Sequence, residues 1–117
     1  MDLRDSEAAR DAVVELLTAR VPPSAIVTGQ NLVTLGALRA LRRLELQASI
    51  ALVGFDDLES ADLFDPGVTV VAQDPAALGR TAVEELLARI GGDNAPARAR
   101  VIPTRLILRG SGEIAPG

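Results

Sequence analysis

The spacing of apolar residues predicts an amphipathic helix near the start of the chain and a strand after it. Ala9, Val13, Leu16 and Leu17 recur at intervals of three or four residues, which is the period of one helix face. Acidic residues precede this set, as is favourable at a helix N-terminus. The consecutive run at residues 25–28 (AIVT) is short and apolar, which is typical of a buried strand.

The same alternation of helix and strand continues to the end of the sequence. A second helix is predicted from Asn31 to about Leu41, and a third begins at Asp74-Pro75, where Asp is a good N-cap and Pro a good first residue. The remaining predicted strands are residues 50–55, 68–72, 101–102 and 106–108. Helices that alternate with continuous apolar strands indicate the α/β class, with a mostly parallel sheet and flanking helices. The small number of strands suggests part of a larger domain.

Composition excludes several classes of function. The chain is 48% hydrophobic, as in a globular domain, and it has neither cysteine nor histidine, so the commonest metal ligands and general bases are missing. The net charge is −4, and all twelve basic residues are arginines. A surface that binds nucleic acid is normally basic, so this chain alone is not expected to bind DNA. There is no apolar run long enough for a membrane span and no signal peptide, which predicts a cytoplasmic protein.

Polar side chains follow three of the predicted strands at the point where each strand ends. Gln30 and Asn31 follow the first strand, Asp56 and Asp57 the second, and Gln73 the third. In open α/β sheets, ligands bind beyond the carboxyl ends of the strands. Carboxylates accept hydrogen bonds from hydroxyl groups, and amides both donate and accept. The set therefore suits a carbohydrate or another polyol.

Each of these residues also has a purely structural interpretation. Asn31 is a good helix cap, and either aspartate could be a turn residue that binds its own backbone. Gln73 could be ordinary loop polarity. The acidic stretch at residues 56–65 is typical of a solvated surface, and its spacing does not match a calcium-binding loop.

The sequence offers little support for catalysis, and we predict no catalytic residue, no metal site and no cofactor. The pair Asp56-Asp57 at a strand end could suggest magnesium-assisted phosphoryl transfer, but such domains also need a lysine, and the chain has none. Paired carboxylates for glycoside hydrolysis could come from the acidic stretch, but nothing fixes their separation. Glycine-rich phosphate-binding and nucleophile-elbow motifs do not occur.

An ordered set of short motifs resembles the closing signature of LacI-type transcriptional repressors. The motifs are Val53-Gly54-Phe55-Asp56-Asp57, Pro66, Val68-Thr69, Gln73, Leu78-Gly79-Arg80-Thr81-Ala82 and Leu106-Ile107-Leu108-Arg109-Gly110-Ser111. Upstream, residues 35–41 are similar to the helix that precedes this signature. Each motif is unspecific by itself, but their order covers nearly the whole chain.

The resemblance implies a partial fold of the type I periplasmic-binding-protein kind. Such repressors have two α/β subdomains joined by three chain crossings, and they read operator DNA as homodimers through an N-terminal helix-turn-helix. By the resemblance, residues 1–72 belong to the C-terminal subdomain, residues 73–102 to the N-terminal one, and residues 103–117 return to the first. The DNA-binding head lies outside this chain, which is expected to sense a sugar-like effector.

The family's effector contacts fall on three positions of this sequence: Gln30, Asp56 and Gln73. The family usually has Asn-Asp where this chain has Gln30-Asn31, so an amide is kept there with one more methylene. Leu63 and Phe64 match the segment through which family members pair, although Phe64 is equally suited to core packing. The alternatives are a fragment of a sugar transporter's solute-binding protein, an enzyme that uses Asp56 or Asp57, and a pairing domain with a vestigial cleft.

Overall fold

The structure, a computed structural model, describes residues 5–117, which contain three α-helices and four strands. The elements are α1 (Ser6–Leu17), β1 (Ala25–Thr28), α2 (Asn31–Arg43), β2 (Ala51–Phe55), β3 (Thr69–Ala72), α3 (Pro75–Ile90) and β4 (Arg105–Ile107). Two short 3₁₀ turns are added at Ala61–Leu63 and Ser111–Glu113. No helix within residues 5–117 has both the length and the hydropathy needed to cross a bilayer.

The strands form one sheet in the order β1-β2-β3-β4. The pairs β1–β2 and β2–β3 are both parallel. Parallel neighbours need a crossover between them, and α2 supplies it between β1 and β2. The predicted α/β class with a mostly parallel sheet is confirmed.

The first strand lies at the edge of the sheet, and its burial is lower than predicted. Thr28 is buried, but Val27 is 79% exposed and Ala25 is also exposed. The prediction of a buried strand is therefore wrong for half of β1. An apolar run alone does not distinguish an edge strand with one open face from a central strand.

Helices α1 and α2 pack closely because a glycine stands where they meet. A Cβ atom at Gly36 would lie 2.5 Å from the Cβ of Ala9 and 2.5 Å from the carbonyl oxygen of Ser6. The helix α1 begins at an aspartate cap, since the Asp5 carboxylate accepts from the Ala8 amide at 2.7 Å. The acidic start predicted for this helix is thus confirmed.

The core lies between these helices and the central strands. Its largest fully buried aliphatic side chains are Leu41 from α2, Leu52 from β2, Val68 and Val70. Burying a side chain of this size contributes about 2 kcal/mol from the hydrophobic effect. The core therefore fixes β2 and β3, whose ends carry the candidate site.

The chain divides into two compact units. One contains the residues up to Ala72 together with Leu106–Gly117, and the other is Gln73–Arg105. The second unit contains α3, whose predicted start is confirmed because the Asp74 carboxylate accepts from the Ala77 amide at 2.9 Å. The assignment of the two units to the two subdomains of LacI-type repressors stays a prediction.

The strand predicted at residues 101–102 does not form. Val101 is 89% exposed and lies outside any strand, and β4 begins only at Arg105. Pro103 supplies a physical reason, because proline has no amide proton for a strand ladder.

Candidate functional site

The register of the sheet brings Gln30 and Asp56 to the same edge. Thr28 of β1 pairs with Gly54 of β2, so Gln30 and Asp56 each lie two residues beyond a paired position. Since the strands are parallel, both residues follow carboxyl ends at one rim of the sheet. Gln30 is exposed and Asp56 is half-buried.

The backbone of Gln30 is fixed while its side chain takes no part in capping α2. Its carbonyl oxygen accepts from the amide of Thr34 at 2.9 Å and from the hydroxyl of Thr34 at 3.1 Å. The hydroxyls of Thr34 and Thr28 lie 2.5 Å apart in a buried hydrogen bond. A Cβ atom at Gly54 would lie 3.0 Å from the Thr34 oxygen, so glycine leaves room for this contact.

Asn31 does not cap α2, which corrects the sequence prediction. Gln30 is the last extended residue, with φ −162° and ψ 162°, so Asn31 is already the first helical residue. The side-chain nitrogen Nδ2 of Asn31 instead donates to the carbonyl oxygen of Asp57 at 3.2 Å. Asn31 therefore links the loop after β1 to the loop after β2.

Asp56 has a left-handed backbone, with φ 74°. This region is costly for residues with a Cβ atom, and aspartate tolerates it better than most. The amide of Asp56 donates to the carbonyl oxygen of Val71 at 2.9 Å, which extends the contact between β2 and β3 by one residue. Asp56 thus stands at the end of an ordered strand and not in a loose loop.

Asp57 pairs with Arg109 through two parallel hydrogen bonds. Nη1 of Arg109 donates to Oδ1 of Asp57 at 2.8 Å, and Nη2 donates to Oδ2 at 3.0 Å. The same Oδ1 accepts from the amide of Leu58 at 2.9 Å, the local turn bond that sequence reasoning allowed for Asp57. The hydrogen bonds to Asp57 raise the pKa of Arg109 above its ordinary value, although burial opposes this.

The segment that carries Arg109 is fastened to the central strands by two hydroxyl groups. The Ser111 hydroxyl accepts from the Thr69 amide at 2.9 Å and donates to the Leu52 carbonyl at 2.6 Å. The Thr69 hydroxyl accepts from the amides of Arg109 and Gly112, both at 3.1 Å, and donates to Glu113 at 2.9 Å. Arg109 therefore reaches the candidate site from a rigid base.

Gln73 directly follows β3, is exposed, and belongs to the second unit. The acidic stretch at residues 56–65 contains a 3₁₀ turn, and Ala61 within it is buried. Among residues 5–117 there is no group of three or more carboxylates, histidines or cysteines suited to a metal ion. Whether Gln30, Asp56 and Gln73 contact a ligand stays a prediction.

The two residues proposed for subunit pairing differ in their environment. Leu63 is 78% exposed. Phe64 is partly buried against the core and lines a small apolar recess with Leu38, Leu41 and Pro66. Phe64 therefore packs against the core, and a role of Leu63 or Phe64 in subunit pairing stays a prediction. Neither Gln30 nor Asp56 lines this recess.

Sequence reasoning included Arg109 in a motif but assigned it no role. Arg109 and Asp57 are 52 residues apart, and no local periodicity connects positions so distant. The available signal was the adjacent pair Asp56-Asp57 together with an arginine late in the chain, since arginine and carboxylate groups form bidentate pairs.

The fold is an open α/β sheet whose polar side chains follow the carboxyl ends of parallel strands, which is where ligands bind in folds of this class. The family model for the periplasmic binding protein-like domain matches residues 2–112. The chain belongs to this family. Within it, the resemblance to LacI-type transcriptional regulators is confirmed by the relatives and solved structures that follow.

One relative is the HTH-type transcriptional regulator PtxS of Pseudomonas aeruginosa. It is 42% identical over 105 residues, which is 87% of this chain and 31% of PtxS. The chain thus spans about a third of the length of this relative.

Two solved structures are similar in fold. One is a LacI family transcriptional regulator from Arthrobacter sp. FB24 in complex with lactose, with a TM-score of 0.80 and 29% identity over 94% of this chain and 42% of that one. The other is the Lac repressor dimer bound to operator and the anti-inducer ONPF, with a TM-score of 0.81 and 26% identity. The second match covers 92% of this chain and 33% of the repressor.

Proposed function

We propose that this chain is the effector-sensing part of a LacI-type transcriptional repressor and binds a sugar-like small molecule. The observation that carries the proposal is the register of β1 and β2, by which Gln30 and Asp56 follow the carboxyl ends of neighbouring strands. The lactose complex of the Arthrobacter regulator supports a carbohydrate as the class of ligand.

Each proposed contact has a distinct chemical role. The carboxylate of Asp56 accepts from ligand hydroxyls, and such charge-assisted bonds are stronger than neutral ones. The amide of Gln30 offers a donor and an acceptor to a further hydroxyl. Gln73 is proposed as a third contact from the resemblance, with the same amide chemistry. None of these roles includes a catalytic step, and we propose that the protein is not an enzyme.

The proposed mechanism is a shift between two conformations. An effector that binds one arrangement of the two subdomains better than another changes their populations, and thereby the spacing of the DNA-reading heads in a homodimer. The Lac repressor dimer on operator DNA supports this arrangement for longer relatives. Operator DNA is contacted only through a helix-turn-helix outside this chain. The exposed Leu63 is our candidate for the subunit contact.

Saturation-transfer NMR with lactose and a panel of monosaccharides tests the proposed function. Binding by the 117-residue chain is expected to be weak, because a cleft of this fold needs two complete subdomains. Asp56→Asn should weaken binding at least tenfold, since a charge-assisted hydrogen bond contributes about 1.5–3 kcal/mol. Asp62→Asn removes one carboxylate from the same acidic stretch and serves as the matched control. Equal binding by the Asp56→Asn variant and the wild type would argue against the site.

A further inference from the structure

Asp56 keeps a backbone conformation that its neighbours must maintain. A residue with a Cβ atom and φ 74° is strained, and such strain persists only where the surroundings determine the conformation. On its N-terminal side, Asp56 is held by the strand contact between its amide and the carbonyl of Val71. That hydrogen bond fixes the amide of Asp56 but not the backbone that follows it.

The C-terminal side of Asp56 is held through Asp57, at both its backbone and its side chain. The carbonyl oxygen of Asp57 accepts from Asn31 at 3.2 Å, and its carboxylate accepts both bonds from Arg109. The planar guanidinium matches a carboxylate at two points, so it restricts rotation as well as position. Together these bonds fix the backbone and side chain of Asp57, the residue that follows Asp56.

Arg109 is itself immobilised, which is necessary if it is to hold another residue. Its Nη1 also donates to the carbonyl oxygen of Val68 at 3.0 Å, and its amide donates to the Thr69 hydroxyl. Its side chain is only 20% exposed. Arg109 therefore connects the base of β3 to the loop after β2 through well-ordered groups.

We infer that Arg109, Asp57 and Asn31 are positioning residues that keep Asp56 left-handed and so direct its carboxylate toward the ligand. The inference rests on the proposed function, because it assumes that Asp56 is the ligand contact. In this arrangement the second aspartate of the pair is a support for the first and does not bind the ligand.

The test measures the backbone of Asp56 directly by NMR on the 117-residue chain. A left-handed residue brings its amide proton close to its own Hα, which gives a strong intraresidue NOE. In the Arg109→Gln variant this NOE should weaken to that of an extended residue. The amides of Leu52 and Val70 report whether the core remains folded, because both residues are fully buried. Arg105→Gln removes the same charge from an exposed position nearby and should leave the NOE unchanged.

A second variant keeps the test decisive if Arg109→Gln unfolds the chain. Asp57→Asn preserves the size of the side chain and removes the charge that Arg109 binds, and it should produce the same loss of the NOE at Asp56. A left-handed Asp56 in either folded variant overturns the positioning role. Loss of the NOE in both, with the core amides and the Arg105→Gln control unchanged, supports it.

The positioning role and the proposed function fail in different ways. If the Asp56→Asn variant binds the sugar panel as the wild type does, the proposed site is wrong, whatever the NOE shows. If Asp56→Asn loses binding but Arg109→Gln keeps both the NOE and the binding, the site stands and the positioning role is wrong. We expect Asp56→Asn and Arg109→Gln both to lose sugar binding. The backbone conformation at position 56 should change only in Arg109→Gln and Asp57→Asn.

Discussion

At the scale of single residues, two uncharged hydroxyl groups, those of Ser111 and Thr69, each make several hydrogen bonds. Ser111 and Thr69 satisfy backbone groups on β2 and β3 and on the segment at residues 109–112. Ser111 is only 3% exposed, so its partners cannot easily turn to water instead. A buried backbone group that loses its only partner bears its full desolvation cost.

Replacement of Ser111 by alanine should therefore destabilise the chain more than a serine-to-alanine change usually does. The amide of Thr69 and the carbonyl of Leu52 both lose a bond, and we expect a loss of about 2 kcal/mol in the free energy of unfolding. Urea denaturation followed by circular dichroism measures it. Ser49→Ala, at an exposed position, is the matched control and should change little. Equal midpoints for the two variants would contradict this role of Ser111.

The role of a single residue could be predicted from the sequence where its hydrogen-bond partner lies only a few residues away. Asp74 was predicted as a cap from the residues beside it, and its carboxylate does accept from an amide three residues on. Asn31 was predicted as a cap by the same reasoning, but its partner lies 26 residues away at Asp57. The edge shared by Gln30 and Asp56 could be predicted, because the carboxyl ends of parallel strands lie at one edge of the sheet. The Arg109 pairing has no local signature.

At the scale of elements, the close contact between α1 and α2 depends on the lack of a side chain at Gly36. The neighbours of Gly36 include backbone atoms of Ser6 and Arg10, at 2.5 and 2.7 Å from an added Cβ. Backbone atoms cannot move aside as the end of a flexible side chain can. The two helices would therefore have to separate to accept any larger residue.

Gly36→Ala should lower the free energy of unfolding by about 2 kcal/mol, in spite of the better helix propensity of alanine. Gly79 is the matched control, because it lies within α3 and a Cβ atom there would meet nothing within 4 Å. Gly79→Ala should be neutral or stabilise α3 by up to about 1 kcal/mol. Thermal unfolding of both variants measures the difference. A Gly36→Ala variant as stable as Gly79→Ala would show that the helices are less closely packed than described.

At the scale of the whole molecule, the two units differ in how well they bury apolar surface. The first has a continuous core, whereas none of the residues of α3, all of them described, is buried. Val83, Leu86, Leu87 and Ile90 are all more than half exposed, and their spacing puts them on one helix face. Exposed apolar patches of this kind are typical of interaction surfaces. The sequence predicted the helix correctly, but periodicity shows which face is apolar and not whether it is covered.

This face should bind a hydrophobic dye such as ANS in the folded 117-residue chain. Leu87→Glu places a charge in the middle of the face and should clearly reduce the fluorescence without changing the stability of the first unit. Leu16→Glu is the control, since Leu16 is also exposed, at 54%, but belongs to α1 of the first unit. Equal fluorescence in the Leu87→Glu variant and the wild type would mean that the dye binds elsewhere.

The bonds of Ser111 also have a consequence for the order of events during protein synthesis. A ribosome produces Leu52 and Thr69 well before it reaches residue 111, and both strands must wait for that hydroxyl with one backbone group exposed to water. The sheet of the first unit is therefore completed only after the whole second unit has been translated. Nascent chains that pause in between present an unfinished sheet to proteases and chaperones.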